Sequence, residues 1–335
     1  MIGQMYQALR ISNSEFVPIR TLNYHVRRWG SPAAGKTPLV LVHGWMDVAA
    51  SFQFVVDALK QDHFIIAPDW RGFGLTVSGG ADCFWYPDYL ADLDALLDHY
   101  APNQAVNLVG HSMGGNVVML YAGIRPERIA KLINLDGFGM PATRPEQAAG
   151  KFAQWMDELK QHAQGGMQLK TYDSPDAVAR RLIKTNPRLS PDKAHWLAAH
   201  WSAETAPGQW TILGEAAHKI INPQLYRVDE MLAVFANIRA PMLMVEASDD
   251  SMAQWWKGKY ALPEFHERLK ALPDVTIRQL PDCSHMLHHD QPELLARLIE
   301  DFLKLWGLAL CHRLGAGLHA QAEHHQLDFN WLEPR

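Results

Sequence analysis

Ser112 stands between Gly110 and Gly114 in the stretch VNLVGHSMGGNVVML, residues 106–120, where strand-forming residues give way to a helical pattern. A hydroxyl is a poor nucleophile until a neighbouring base takes its proton, so the serine directs attention to histidines and carboxylates elsewhere in the chain. His285 lies in CSHMLHHDQPE, residues 283–293, and Asp249 and Asp250 follow the apolar run PMLMVEA. Nearer the N-terminus, LVLVHGWMD, residues 39–47, closes an apolar run with His43, Gly44 and Trp45. In a strand-turn-helix setting the backbone N–H groups of Trp45 and Met113 converge beside Ser112 as an oxyanion hole. A serine, an imidazole, a carboxylate and two amide donors are the parts needed for acyl transfer.

Such parts work only if the backbone holds them together. A strand ending at Gly110 and a helix opening after Gly114 leave Ser112 on one tight turn. Side chains two residues to either side would clash there, which is why the Gly-x-Ser-x-Gly pattern needs glycine at both places. The start of the following helix adds unpaired N–H groups and a positive dipole end beside the hydroxyl.

The rest of the sequence supplies a matching frame. Apolar, β-branched runs at 15–19, 22–29, 38–43, 64–68, 105–110, 131–136, 241–247 and 275–280 predict eight strands. Segments of helical period at 52–60, 87–100, 116–124 and 292–306 lie between or after them. This alternation predicts an α/β fold with a mostly parallel sheet covered by helices on both faces. It breaks once. Residues 138–237 carry amphipathic helical patterns, include Trp155, Trp196, Trp201 and Trp210, and contain no convincing strand. A segment that long predicts a helical lid inserted after the sixth strand, its aromatics joining lid helices to one another or lining a pocket. The expected division is a core of 1–137 and 238–306, a lid of 138–237 and a tail of 307–335.

HGW, PDWRGFGLT (68–76), GHSMGG and CSHMLHHDQPE occur in an order that resembles the alpha/beta-hydrolase family, specifically its lid-bearing serine hydrolases, over residues 15–306. The resemblance implies the chain order serine, acid, histidine, with Ser112 as nucleophile and His285 as base. For the acid it selects Asp250, by alignment with a common Gly-x-x-Asp pattern in which Ala247 replaces the glycine; Asp249 and Asp136 are the alternatives. Thr76 stands where the family usually has serine. Asp69 and Arg71 resemble a loop-bracing ion pair, and His43 a structural residue. The acyl-transfer mechanism that follows needs no cofactor.

Composition limits the alternatives. With 48% hydrophobic and 20% charged residues and a formal net charge of −5, the chain has the make-up of a soluble globular protein and no electrostatic case for nucleic acid or an anionic membrane. Without a signal-like start or a long apolar run, a cytoplasmic location is expected. Cys83, Cys283 and Cys311 have no CxxC spacing and are expected as free thiols. His288 and His289 beside His285 match no metal motif, so they are expected to pack or cap, and no metal is expected. His312, His319, His324 and His325 fall in the tail and match none either. The expected activity is hydrolysis of a small or medium apolar carboxylic ester. Rival readings are carbon-carbon bond hydrolysis, cofactor-free oxygenation or perhydrolysis, and small-molecule sensing by a mobile lid.

Overall fold

The structure, a computed structural model, describes residues 5–313. Six strands come first: β1 (Asn13–Ile19), β2 (Leu22–Trp29), β3 (Leu39–Val42), β4 (Ile65–Pro68), β5 (Val106–His111) and β6 (Ile129–Leu135). An insertion follows with three short strands, β7 (Thr171–Tyr172), β8 (Ser202–Ala206) and β9 (Gln209–Ile212), and then β10 (Met242–Ala247) and β11 (Val275–Leu280) complete the series. The main sheet has eight strands in the order β1-β2-β4-β3-β5-β6-β10-β11. Pairing is antiparallel at β1·β2 and β2·β4 and parallel from β4 to β11. All eight expected strands are present, and the expected fold is found.

Alternation along the strands makes two cores. Val40 and Val42 of β3 join Leu108, Leu132 and Met244 on one face. That face is covered by α2 (Tyr86–Tyr100), α3 (Met113–Ile124), α7 (Val228–Phe235) and α9 (Leu262–Leu269). Leu39 and Leu41 point the other way, with Val109, Ile133 and Val245, under α1 (Gln53–Ala58) and α11 (Pro292–Arg313). Burial on both sides explains why β3 and β10 read as continuous apolar runs.

The insertion between β6 and β10 carries α4 (Ala148–Ala163), α5 (Pro175–Thr185) and α6 (Pro191–Trp201). The expectation that it lacks strands is corrected, because β7, β9 and β8 form a three-stranded antiparallel sheet. These strands are two to five residues long and partly polar, too short for period-two alternation to register. The Pro207-Gly208 turn, with Gly208 at φ +70°, is the local signal of the hairpin. The last part of 138–237 also belongs with the core: a Cβ on Gly123 of α3 would lie 2.1 Å from the Val234 carbonyl of α7. Of the tryptophans, Trp196 packs edge-on to Tyr6 and tilted against Phe54. Trp201 donates Nε1–H to Asp47 Oδ1 at 3.0 Å, so both seat the insertion on the core.

Among the described residues no helix is long and apolar enough to cross a membrane. Cys83 and Cys283 are free thiols. Helix α11 runs seven residues into the expected tail, from 307 to 313. The tail histidines His319, His324 and His325 lie outside the described residues.

Candidate active site

β5 delivers the chain to Ser112, which turns at φ +53° and ψ −115° into α3. A non-glycine residue there stores on the order of 1–3 kcal/mol of backbone strain, held by the close backbone packing around the turn. The Ser112 N–H donates to the Leu135 carbonyl of β6 at 2.9 Å. A Cβ on Gly110 would sit 2.3 Å from the Gly114 carbonyl oxygen, and one on Gly114 2.5 Å from that of Val42. Both obstacles are backbone and cannot swing aside. Gly114→Ala is therefore expected to destabilise the fold by about 1–3 kcal/mol, read as a lower urea midpoint at unchanged m-value.

Ser112 Oγ–H meets His285 Nε2 at 2.8 Å, and His285 Nδ1–H donates to Asp136 Oδ2 at 2.8 Å. The carboxylate fixes the tautomer, since it accepts only; Nε2 is left free to take the serine proton. Asp136 follows directly on β6, is 1% exposed and adopts φ +54°. Its Oδ1 accepts the Ala247 N–H at 2.9 Å, and its Oδ2 also accepts the Ser251 hydroxyl at 2.5 Å. Three donors hold the carboxylate in one orientation.

This geometry corrects the expectation of Asp250. That residue is exposed and caps α8 (Ser251–Trp256), its Oδ1 accepting the Ala253 N–H at 2.9 Å. Asp249 turns away as well, paired with Arg188 at 2.7 Å. The structure thus brings Ser112 and His285 together with Asp136.

The two expected amide donors lie beside the serine. A Cβ on Gly44 would be 3.0 Å from Ser112 Cβ, which sets the Gly44–Trp45 peptide close to Ser112. Among the described residues neither the Trp45 nor the Met113 amide donates to a backbone carbonyl. Trp45 and Met113 also line a cavity of about 120 Å³ with Phe84, Tyr86, Tyr89 and Ile220. His218 closes one wall, stacked between Phe73 and Phe84 at 3.7 Å from each. Burial pushes its imidazole down to about 3, so the wall is uncharged at neutral pH. The exposed Trp255 ring lies 5.7 Å from His285.

The chain matches the model of the alpha/beta hydrolase fold over residues 37–292. The chain belongs to the alpha/beta hydrolase fold family. A serine hydrolase-like protein of Danio rerio is 25% identical over 306 residues, spanning 88% of this chain and 90% of the relative. An uncharacterized hydrolase of Bacillus subtilis is 25% identical over 285 residues, 84% of this chain and 95% of its own length. The crystal structure of a hypothetical protein from Pseudomonas aeruginosa superposes with a TM-score of 0.74 at 24% identity, over 87% of this chain and 99% of the other. Family membership supports hydrolase activity.

Other expected residues of this hydrolase fold fall around the triad as supports. His43 is buried, donates Nδ1–H to the Gly44 carbonyl at 2.8 Å and accepts the Trp70 N–H at Nε2, 2.9 Å away. Asp69 and Arg71 do brace the loop, but not with each other. Asp69 pairs with His25 at 2.6 Å, and Arg71 holds Asp92 at 2.6 and 2.8 Å. His288 and His289 are buried in α10 (Leu287–Asp290), both against Ser51 Oγ. Sequence reasoning missed two supports: Ser251, which holds Asp136, and His111, whose Nε2–H donates to the His285 carbonyl at 2.8 Å. His111 adjoins Ser112 in GHSMGG, so adjacency was its one signal.

Proposed function

We propose that this hydrolase cleaves small apolar carboxylic esters through an acyl-enzyme. The observation that carries the reading is the unbroken chain from Ser112 through His285 to Asp136, with both contacts at 2.8 Å. His285 takes the Ser112 proton as Oγ attacks the ester carbonyl carbon, and the Trp45 and Met113 amides donate to the oxyanion. Collapse breaks the carbon–oxygen bond to the alcohol, which leaves with the proton from His285. Water then gives a proton to His285 and attacks the acyl carbon, and the acid departs as Ser112 recovers its hydrogen. Asp136 remains ionised throughout, holding the imidazole and stabilising the imidazolium.

Esters suit this arrangement because an alkoxide leaves with one proton as its only help, whereas amides and carbon-carbon bonds require further dedicated groups. The cavity supports a small acyl part. Its roughly 120 Å³ is well below the ~300–1,000 Å³ typical of drug-sized ligands, and its walls are mainly aromatic and aliphatic. Across p-nitrophenyl acetate, butyrate and octanoate, kcat/KM is expected to fall by about tenfold or more between butyrate and octanoate, as methylenes that find no room lose their binding contribution. A profile that rises with chain length would contradict the small pocket.

Labelling with a fluorophosphonate and multiple-turnover assays on p-nitrophenyl butyrate test the mechanism together. Both are expected in the intact protein, and both are expected to vanish in Ser112→Ala. Steady turnover that survives this substitution, or one burst with no further turnover, would overturn the reading.

A further inference from the structure

Directly behind His285 the fold gathers three side chains that the mechanism does not use as reacting groups. They are Asp47, from the loop after β3, His111 at the end of β5, and His288 in α10, exposed by 3%, 2% and 0% respectively. Each offers one ligand atom, and these atoms all lie within 4.8 Å of one another.

Hydrogen bonding fixes what faces the centre of the cluster. The Nε2 of His111 meets a carbonyl oxygen, which only accepts, so Nε2 carries the proton and Nδ1 the lone pair of the neutral ring. Asp47 Oδ1 accepts the N–H of Val48 at 2.9 Å and the indole N–H of Trp201 at 3.0 Å. Asp47 Oδ2, His111 Nδ1 and His288 Nδ1 have no hydrogen-bond partner among the described residues. The nearest cationic candidate for Asp47, His288 Nε2, stands 3.7 Å from Oδ2.

Asp47 Oδ2 and the His111 Nδ1 lone pair, two acceptors, thus converge in the interior with no donor at hydrogen-bond distance among the described residues. A buried anion left in this way is costly unless a cation or a bridging donor meets it.

We propose that Asp47, His111 and His288 form a binding site for a divalent transition-metal ion, with zinc the best match. Two imidazoles and one carboxylate are a zinc ligand set, with the fourth position open to water. His111 already has the outer contact typical of a ligating histidine, since its second ring nitrogen donates to a backbone carbonyl. Bonds of about 2.0–2.2 Å place tetrahedral ligand atoms roughly 3.3–3.6 Å apart, so binding draws the cluster inward. His288 packs 4.4 Å from the His111 ring, and its hydrogen bond to Ser51 Oγ is long at 3.2 Å. The ligands are scattered over residues 47, 111 and 288, which is why no motif spacing announces them. A bound ion would tie the loop after β3 to the end of β5, which leads into Ser112, and to α10, beneath the Trp201 contact of the insertion.

The test uses the full chain, stripped with chelator and dialysed against zinc sulfate. The expected result is one more zinc bound by the intact protein than by Asp47→Asn or His288→Gln, with affinity at this site lowered at least about tenfold in each. Taking the difference removes any zinc held by histidines near the C-terminus. The melting midpoint of the intact protein is expected to rise on the order of 5 °C at zinc a hundredfold above Kd, and the rise is expected to disappear in the variants. Zinc-edge anomalous scattering from crystals of the intact protein decides the matter even if both variants fail to fold. A peak among Asp47, His111 and His288 supports the site; an ordered water there without anomalous signal, or a peak only elsewhere, overturns it, as does an unchanged zinc count in folded variants.

Discussion

Replacing Ser112 with alanine is expected to lower kcat for p-nitrophenyl butyrate by about 10⁶-fold, the scale on which loss of a triad serine acts in a serine protease. The size follows from the chemistry lost. Without Oγ no acyl-enzyme forms, and what remains is water attack aided by the oxyanion donors and by binding, worth roughly 10³–10⁴ over the uncatalysed reaction. The fold should tolerate the change, because the tie from Ser112 to the sheet runs through its backbone N–H to Leu135 rather than through Oγ. Thermal melting should accordingly stay near that of the parent while the rate collapses. The measurement is turnover by preparations whose active sites have been counted, so that traces of parent enzyme are not mistaken for residual catalysis. A loss of less than about 100-fold, below what one oxyanion donor alone is typically worth, would remove Ser112 from the role of nucleophile.

The fold was largely legible in the sequence because its strongest signals are local. Continuous apolar runs mark the two-sided burial of β3, β4 and β10. The glycines around Ser112 record backbone approaches so close that an added Cβ would lie 2.3 or 2.5 Å from a carbonyl oxygen. His285 was legible for a similar reason, lying in the loop between the last strand and α11. The carboxylate that meets His285 was not, and the sheet explains why. β6 and β10 are parallel neighbours, with Leu135 opposite Val245, so the loops leaving both strands reach the same imidazole. A carboxylate after either strand can serve. The choice is made by contacts far apart in sequence: the Ala247 amide and the Ser251 hydroxyl turn toward Asp136, while Asp250 is occupied with the amide of Ala253. The small sheet of the insertion escaped for a different reason, since Thr171–Tyr172 owes its strand character to pairing with Trp210 and Thr211.

The same substitution made at two aspartates separates these assignments. Asp136→Asn is expected to lower kcat by about 10⁴-fold, and Asp250→Asn to leave it close to that of the parent. At Asp136 the amide presents an N–H₂ where the carboxylate accepted, so His285 is no longer compelled to carry its proton on Nδ1. Once the proton shifts to Nε2, the ring faces Ser112 as a donor and cannot act as base. The imidazolium formed during attack also loses the negative charge that stabilised it. Some stability goes as well, about 1–3 kcal/mol, because one of the buried donors from Ala247 and Ser251 now meets an N–H₂ group. The rate must therefore be expressed per folded molecule. At Asp250 asparagine is as good a helix cap as aspartate, so the Ala253 contact survives and α8, with Ser251 in place, keeps its hold on Asp136. If the large loss appeared at Asp250 and not at Asp136, the hydrogen bond from His285 to Asp136 would be a resting-state contact that the reacting enzyme abandons, and the β10 loop would have to rearrange to deliver its own carboxylate.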